Sequence, residues 1–188
     1  MSGLIRLTTE RLLIRDHIPG DLPSHHALLS DPTVMYYLPE FRTQSRAESA
    51  QNLAESITDI TNARRSKYLF RMERRQTWEH IGEIGYTVTD FTGVGKLVKL
   101  WYFSFSRFWG KGYTTEALQE VLRHAFEENK VFRVSAGCIR ENGASERVMQ
   151  KCGMIKEADL RLQVWHDDRM KDRVEYRLLK DEYDALPK

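Results

Sequence analysis

The chain is poor in cysteine, with Cys138 and Cys152 the only two in 188 residues. Two thiols cannot build a disulfide framework, and these two lack metal-site spacing. Neither sign of charge dominates: 29 basic residues stand against 27 acidic ones, a net charge of +2. That balance argues against a general nucleic-acid binder and leaves room only for a local basic patch. No apolar run reaches membrane-span length and the first residues do not read as a secretory leader, so a cytoplasmic protein with no membrane partner is expected. Repeats, low-complexity tracts and linkers are missing as well. Charged residues make up 30% and hydrophobic ones 41%, which fits a globular chain rather than a disordered one. The length suits one domain, 1–188, with a sizeable core.

What is present is a succession of short periodic segments. Residues 4–15 read as a strand. Pro19, Gly20 and Asp21 open a helix that ends near Ser30-Asp31-Pro32, because proline disfavours helix just before it. A second helix follows Ser45, with Ala50, Leu53, Ala54, Ile57 and Ile60 on one face. Arg64, Arg65 and Lys67 then read as a solvated helix end matched to the dipole. Three strands follow, near 68–73, 81–88 and 97–105, joined closely enough to form an antiparallel meander. A helix over 114–129 leads to a strand at 132–138, which implies a parallel crossover. A short helix over 144–152, capped by Gly153, precedes two last strands near 159–165 and 172–179. The fold class is α/β: one mixed sheet with helices on both faces.

The stretch from Trp101 to Thr115 carries the chemistry. It runs from an aromatic strand through Gly110-Lys111-Gly112 into a helix whose buried face is Ala117, Leu118, Val121, Leu122, Ala125 and Phe126. Strand, glycine turn and helix N-terminus together suit an anion, since glycines admit a close approach and the first-turn amides point at the ligand. The nucleotide P-loop spacing is absent, and so is the third glycine of the dinucleotide fingerprint.

Trp109-Gly110-Lys111-Gly112-Tyr113-Thr114-Thr115-Glu116-Ala117 is followed, a helix and a strand later, by Ile139-Arg140-Glu141-Asn142-Gly143-Ala144-Ser145 and then Lys151-Cys152-Gly153-Met154. With the opening Thr9-Glu10-Arg11-Leu12-Leu13-Ile14-Arg15 and Ser30-Asp31-Pro32, this text resembles the GNAT acetyltransferases, in particular the branch that acetylates ribosomal proteins. The resemblance implies a mostly antiparallel mixed sheet with a splayed parallel pair. It also implies acetyl-CoA as cosubstrate, without a metal, and an amine as acceptor: a protein N-terminus or a small molecule. It admits a homodimer.

By that resemblance the amides of Gly110, Lys111, Gly112, Tyr113, Thr114 and Thr115 face the pyrophosphate, in the register that starts the family's pattern at Trp109 rather than Arg107. Thr114 stands where a glycine or alanine is more usual. Tyr102, Phe103 and Ser104 fall on the strand edge that pairs with the pantetheine amides, while Trp101 and Phe105 are expected to pack in the core. Asn142 approaches the pantetheine arm and is also a natural helix N-cap. Ser145 lies near the thioester sulfur.

Two groups that relatives use are missing. The tyrosine seven residues after the asparagine is Met149, and the glutamate five residues before it is Gly137. Ser145 is then the candidate catalytic residue, as a donor to the departing thiolate, and the general base is unassigned. Glu83 is expected to be an exposed strand carboxylate. His25-His26 and His166-Asp167-Asp168 lie in polar contexts without metal-motif spacing and are expected at the solvated surface. The expected activity is acetyl transfer to a primary amine by direct attack in a ternary complex. A coenzyme A-binding module without catalysis is the alternative.

Overall fold

The computed structural model describes residues 4–187. The chain starts with two strands where the pattern suggested one, β1 (Arg6–Thr8) and β2 (Leu12–Asp16). Thr9 makes the turn between them: its amide donates to Leu12 O at 3.0 Å, and its hydroxyl accepts from the Leu12 amide at 3.0 Å. Short side-chain-to-backbone bonds of this kind compete with strand pairing and break the run. A 3-10 turn at Pro19–Asp21 leads into α1 (Leu22–Leu29), and α2 spans Arg46–Ile60. Ser45 caps α2 by accepting from the Glu48 amide, and the Glu48 carboxylate takes the Gln44 amide at 2.6 Å. The buried face of α2 is Ser49, Leu53, Ser56 and Ile60, whereas Ala54 is exposed. Two serines took inward places that the apolar pattern gave to alanine; Ser49 bonds to Thr43 and His26 there.

The meander is β3 (Lys67–Arg74), β4 (His80–Thr92) and β5 (Gly95–Ser104). α3 (Tyr113–Arg123) continues as a π turn over His124–Glu128, then β6 (Val131–Ile139), α4 (Gly143–Lys151), β7 (Ile155–His166), β8 (Arg169–Leu179) and α5 (Lys180–Asp184) complete the chain. The strand order is β1-β2-β3-β4-β5-β6-β8-β7. β5 and β6 run parallel, and their ladder runs from Lys96↔Val131 to Lys99↔Ser135. β5 extends beyond it to Ser104 and β6 to Ile139. The crossover helix α3 supplies the connection a parallel pair needs. Ala117, Leu118 and Val121 on it are fully buried, as the spacing predicted. α5 carried no signal that the pattern exposed.

Contacts group the chain into two units, Met1–Thr87 with Trp101–Val121, and Val88–Leu100 with Leu122–Lys188. In the first, Leu28, Leu29, Val34, Met35 and Phe103 form a buried cluster, with Trp101 and Phe105 packed against it. The same unit buries a charged network. Arg15 bonds to Asp21 at 2.8 Å and Glu73 at 2.7 Å, and Arg65 bonds to Asp16. Arg65 is thus only 8% exposed, its guanidinium 4.4 Å from the Tyr68 ring centre, and is no solvated helix end. In the second unit, β6 pairs with β8 from Arg133↔Leu179 to Ile139↔Arg173, and Val174, Tyr176 and Leu178 are buried.

Candidate functional site

β5 leaves the sheet at Ser104, and a 3-10 turn over Ser106–Phe108 carries the chain to Trp109. The Trp109 indole N–H donates to Ser104 O at 2.9 Å and sets where the turn begins. Gly110 and Gly112 both take left-handed backbone, with φ of +73° and +79°. A Cβ on Gly110 would meet nothing within 4 Å, and one on Gly112 would meet only Arg11 Nη2, at 3.4 Å. The glycines answer to the backbone, therefore, and leave open space over the turn for a ligand. The Glu116 amide, bonding back to Gly112 O at 3.0 Å, starts the helical ladder. The amides of Tyr113 and Thr114 precede it, at the positive end of the helix dipole. Lys111 is exposed, and Arg107 lies over the Phe105 and Phe108 rings at 4.5 and 4.8 Å. The turn is cationic, open and rich in amides, which fits a phosphate.

The two motifs that frame this region are bonded to each other. The Glu116 carboxylate accepts the Thr9 hydroxyl at 2.5 Å, the Arg11 amide at 2.9 Å and Arg11 Nε at 2.6 Å. Arg11 also donates to Lys111 O at 3.0 Å and covers the Tyr113 ring, while Arg74 donates to the Tyr113 hydroxyl at 3.0 Å. Burial raises the Glu116 pKa, but the bonds from Thr9 and Arg11 outweigh it and hold the carboxyl below its ordinary value. The β1–β2 turn is thus a brace for the glycine turn. Nothing in the spacing of Thr9-Glu10-Arg11 foretold that partner.

Of the three strand residues assigned to the coenzyme, Phe103 and Ser104 are buried and Tyr102 is half-buried. The Phe103 ring stacks on Trp101 at 5.8 Å within the apolar cluster. Ser104 O is already bonded to Trp109. Main-chain pairing leaves side chains free to pack, so Phe103 can serve the core and its backbone a ligand.

In the second unit Asn142 caps α4, its side-chain oxygen accepting the Ser145 amide at 3.1 Å. Ser145 is half-buried beside Cys138 and makes a side-chain bond to that thiol. Burial pushes Cys138 up to about 11, so it is an inert thiol at neutral pH. Met149 is fully buried and Ala144 is exposed. Gly137 pairs with Glu175, and a Cβ at Gly137 would fall 2.2 Å from Glu175 Oε2. A carboxylate from the neighbouring strand therefore lies over Gly137, with Arg173 as its partner. Glu175 could not be found from sequence, because the register of β6 on β8 is a tertiary fact.

Three expectations about polar residues are corrected here. Glu83 is fully buried, and so is His25; His166 is 7% exposed. The His25 Nδ1–H donates to Glu83 Oε1 at 2.7 Å. Burial raises the Glu83 pKa, but His17 and His25 outweigh it and hold the group ionised. Burial lowers His25 while Glu83 raises it, with a net rise; burial, joined by the charges of Arg71 and His17, outweighs Glu83 at His80 and takes it down to about 4. A polar residue on an alternating strand reads as exposed unless its partner is known, and these partners lie far off in sequence.

Residues 11–155 match the model of the acetyltransferase (GNAT) domain. An uncharacterized N-acetyltransferase of Bacillus subtilis is 29% identical over 189 residues, covering 95% of this chain and 99% of that one. Among solved structures, a ribosomal-protein alanine acetyltransferase of Vibrio fischeri superposes with a TM-score of 0.82 at 17% identity, covering 95% and 98% of the two chains. The spermidine N-acetyltransferase of Vibrio cholerae, solved with CoA and spermine, gives 0.81 at 20%, covering 94% and 100%. With the left-handed glycine turn at the head of α3 and a family model spanning most of the sequence, this chain belongs to the GNAT acetyltransferases.

Proposed function

We propose that the protein transfers acetyl from acetyl-CoA to a primary amine, on a protein N-terminus or a small molecule, by direct attack. The observation that carries the reading is the turn at Gly110–Gly112, with two left-handed glycines, open space above them and the helix N-terminus behind. In this reading the amides of Gly110, Lys111, Gly112, Tyr113, Thr114 and Thr115 hold the pyrophosphate, with the Lys111 ammonium adding charge. The backbone of Tyr102, Phe103 and Ser104 pairs with the pantetheine amides, and Asn142 contacts the same arm besides capping α4. Two proteins of the same fold act on amine-bearing acceptors, one on a ribosomal protein and the other on spermidine.

The amine must be neutral to attack, and the thiolate must be stabilised as it leaves. Ser145 takes the second role, its hydroxyl donating to the departing sulfur. Glu175 takes the first: its carboxylate stands where Gly137 offers no side chain, and it receives the amine's proton directly or through one water. Holding thioester and amine together supplies much of the remaining rate. Thiol release from acetyl-CoA over a panel of primary amines tests the proposal. Turnover with at least one amine is expected, with kcat lowered in Glu175→Gln. Tight coenzyme binding without turnover on any amine would instead mark a coenzyme-binding module.

A further inference from the structure

The polar atoms around Glu83 are out of solvent, and not all of them are satisfied. Glu83 Oε1 lies 2.7 Å from His25 Nδ1, 3.6 Å from His17 Nε2 and 3.8 Å from His80 Nε2. None of these four side chains is more than 5% exposed. His17 Nε2 and Glu83 Oε2 have no hydrogen-bond partner. Buried polar groups are almost always paired, and an exception calls for an ion, a water or a role. An acid–base role in acetyl transfer fits poorly, because a carboxylate this deeply enclosed cannot meet an amine. The donor atoms of His17, His25 and Glu83 all lie within 4.8 Å of one another, the one such group among the described residues.

We propose that His17, His25 and Glu83 bind a structural zinc ion. Two imidazoles and a carboxylate are a donor set that suits Zn2+, whose bonds of about 2.0–2.2 Å put tetrahedral ligand atoms roughly 3.3 Å apart. The His17–Glu83 separation is within a few tenths of that value, and a small swing of the carboxylate opens the shorter His25 contact. His80 Nε2, now 3.1 Å from Gly82 O, is the nearest candidate for the fourth position. Behind the cluster, His17 Nδ1 lies 3.2 Å from Asp21 Oδ2, while the outer nitrogen of His25, Nε2, has no hydrogen-bond partner. A carboxylate behind a ligating imidazole fixes its tautomer and aims the other nitrogen at the metal. The nearby cations Arg15 and Arg71 are engaged by Asp21 and Glu73. His25 is on α1 and Glu83 on β4, so the ion ties the first helix to the sheet inside the first unit.

The full chain is stripped with a chelator, then titrated with Zn2+ by calorimetry and with Co2+ by visible absorption. A single equivalent should bind, Zn2+ should displace Co2+, and the thermal midpoint should rise with free zinc. Glu83→Gln and His17→Ala should each weaken uptake by at least about a hundredfold, the upper range for losing an outer partner alone. A second measurement needs no variant. In long-range proton–nitrogen spectra of the wild type, Zn2+ should move the ring nitrogens of His17 and His25 and leave those of His26. No uptake by the stripped wild type would overturn the site, as would equal uptake by both variants or unmoved His17 and His25 nitrogens. None of these readouts depends on acetyl transfer.

Discussion

Glu116 and Glu83 are both hubs, and they solve the same electrostatic problem in opposite ways. Glu116 is partly open to solvent and has its lone pairs filled by a hydroxyl, an amide and a guanidinium, all from the β1–β2 turn. Glu83 has no solvent, three imidazoles within 3.8 Å and one oxygen unpaired. A satisfied carboxylate fixes geometry, which suits a brace behind a turn that must hold its amides still. An unsatisfied one in a dry place is poised for something further. Variants at the two regions should accordingly differ in kind. Those near Glu116 should change coenzyme binding, and those near Glu83 should change metal uptake and stability without touching the turn.

The largest effect is expected at the turn itself. Gly112 sits at φ +79°, and valine there is strained by its own backbone besides crowding the phosphate. Gly112→Val should weaken acetyl-CoA by roughly a hundredfold, about 3 kcal/mol, by calorimetry on folded protein. An affinity within a few-fold of wild type would break the assignment. Next comes Ser145→Ala, which should lower kcat by roughly ten- to a hundredfold with coenzyme affinity kept, since its donor acts as the thiolate forms. Unchanged kcat on every accepted amine would leave Ser145 as a helix-start residue only.

The smallest effect is at the brace. Glu116 has a depressed pKa in the folded state, so its contribution is fully present above the unfolded value near 4.3 and is lost as pH falls through the folded one. Glu116→Gln should cost about 1 kcal/mol at pH 7, and its gap from wild type should narrow below about pH 4, read by urea unfolding across pH. The Arg11 side chain is 42% exposed, and solvent screening keeps the figure low. A gap that stayed constant with pH would show that the carboxylate's charge contributes nothing.

Legibility in the sequence followed the same divide. The α3 face, the meander, the parallel crossover and the Gly153 cap, at φ +77°, could all be read, because period and glycine placement are local. So could the position of the glycine turn. What could not be read was polar residues turned inward: Arg65 on Asp16, His25 on Glu83, Glu175 over Gly137. Each depends on a partner at least 38 positions away, as 137 is from 175, and hydropathy scores such a residue as exposed. The split of residues 4–15 into β1 and β2 was hidden for a related reason. One threonine hydroxyl and one amide make that turn, with neither glycine nor proline to announce it.

The central claim is that the backbone from Gly110 to Thr115 receives the coenzyme's phosphates, and amide chemical shifts read that backbone directly. In nitrogen-15 correlation spectra of the full chain titrated with coenzyme A, the largest shifts should fall on the amides of Gly110, Lys111, Gly112, Tyr113, Thr114 and Thr115. Saturable binding that moves other amides and leaves these six in place would contradict the account.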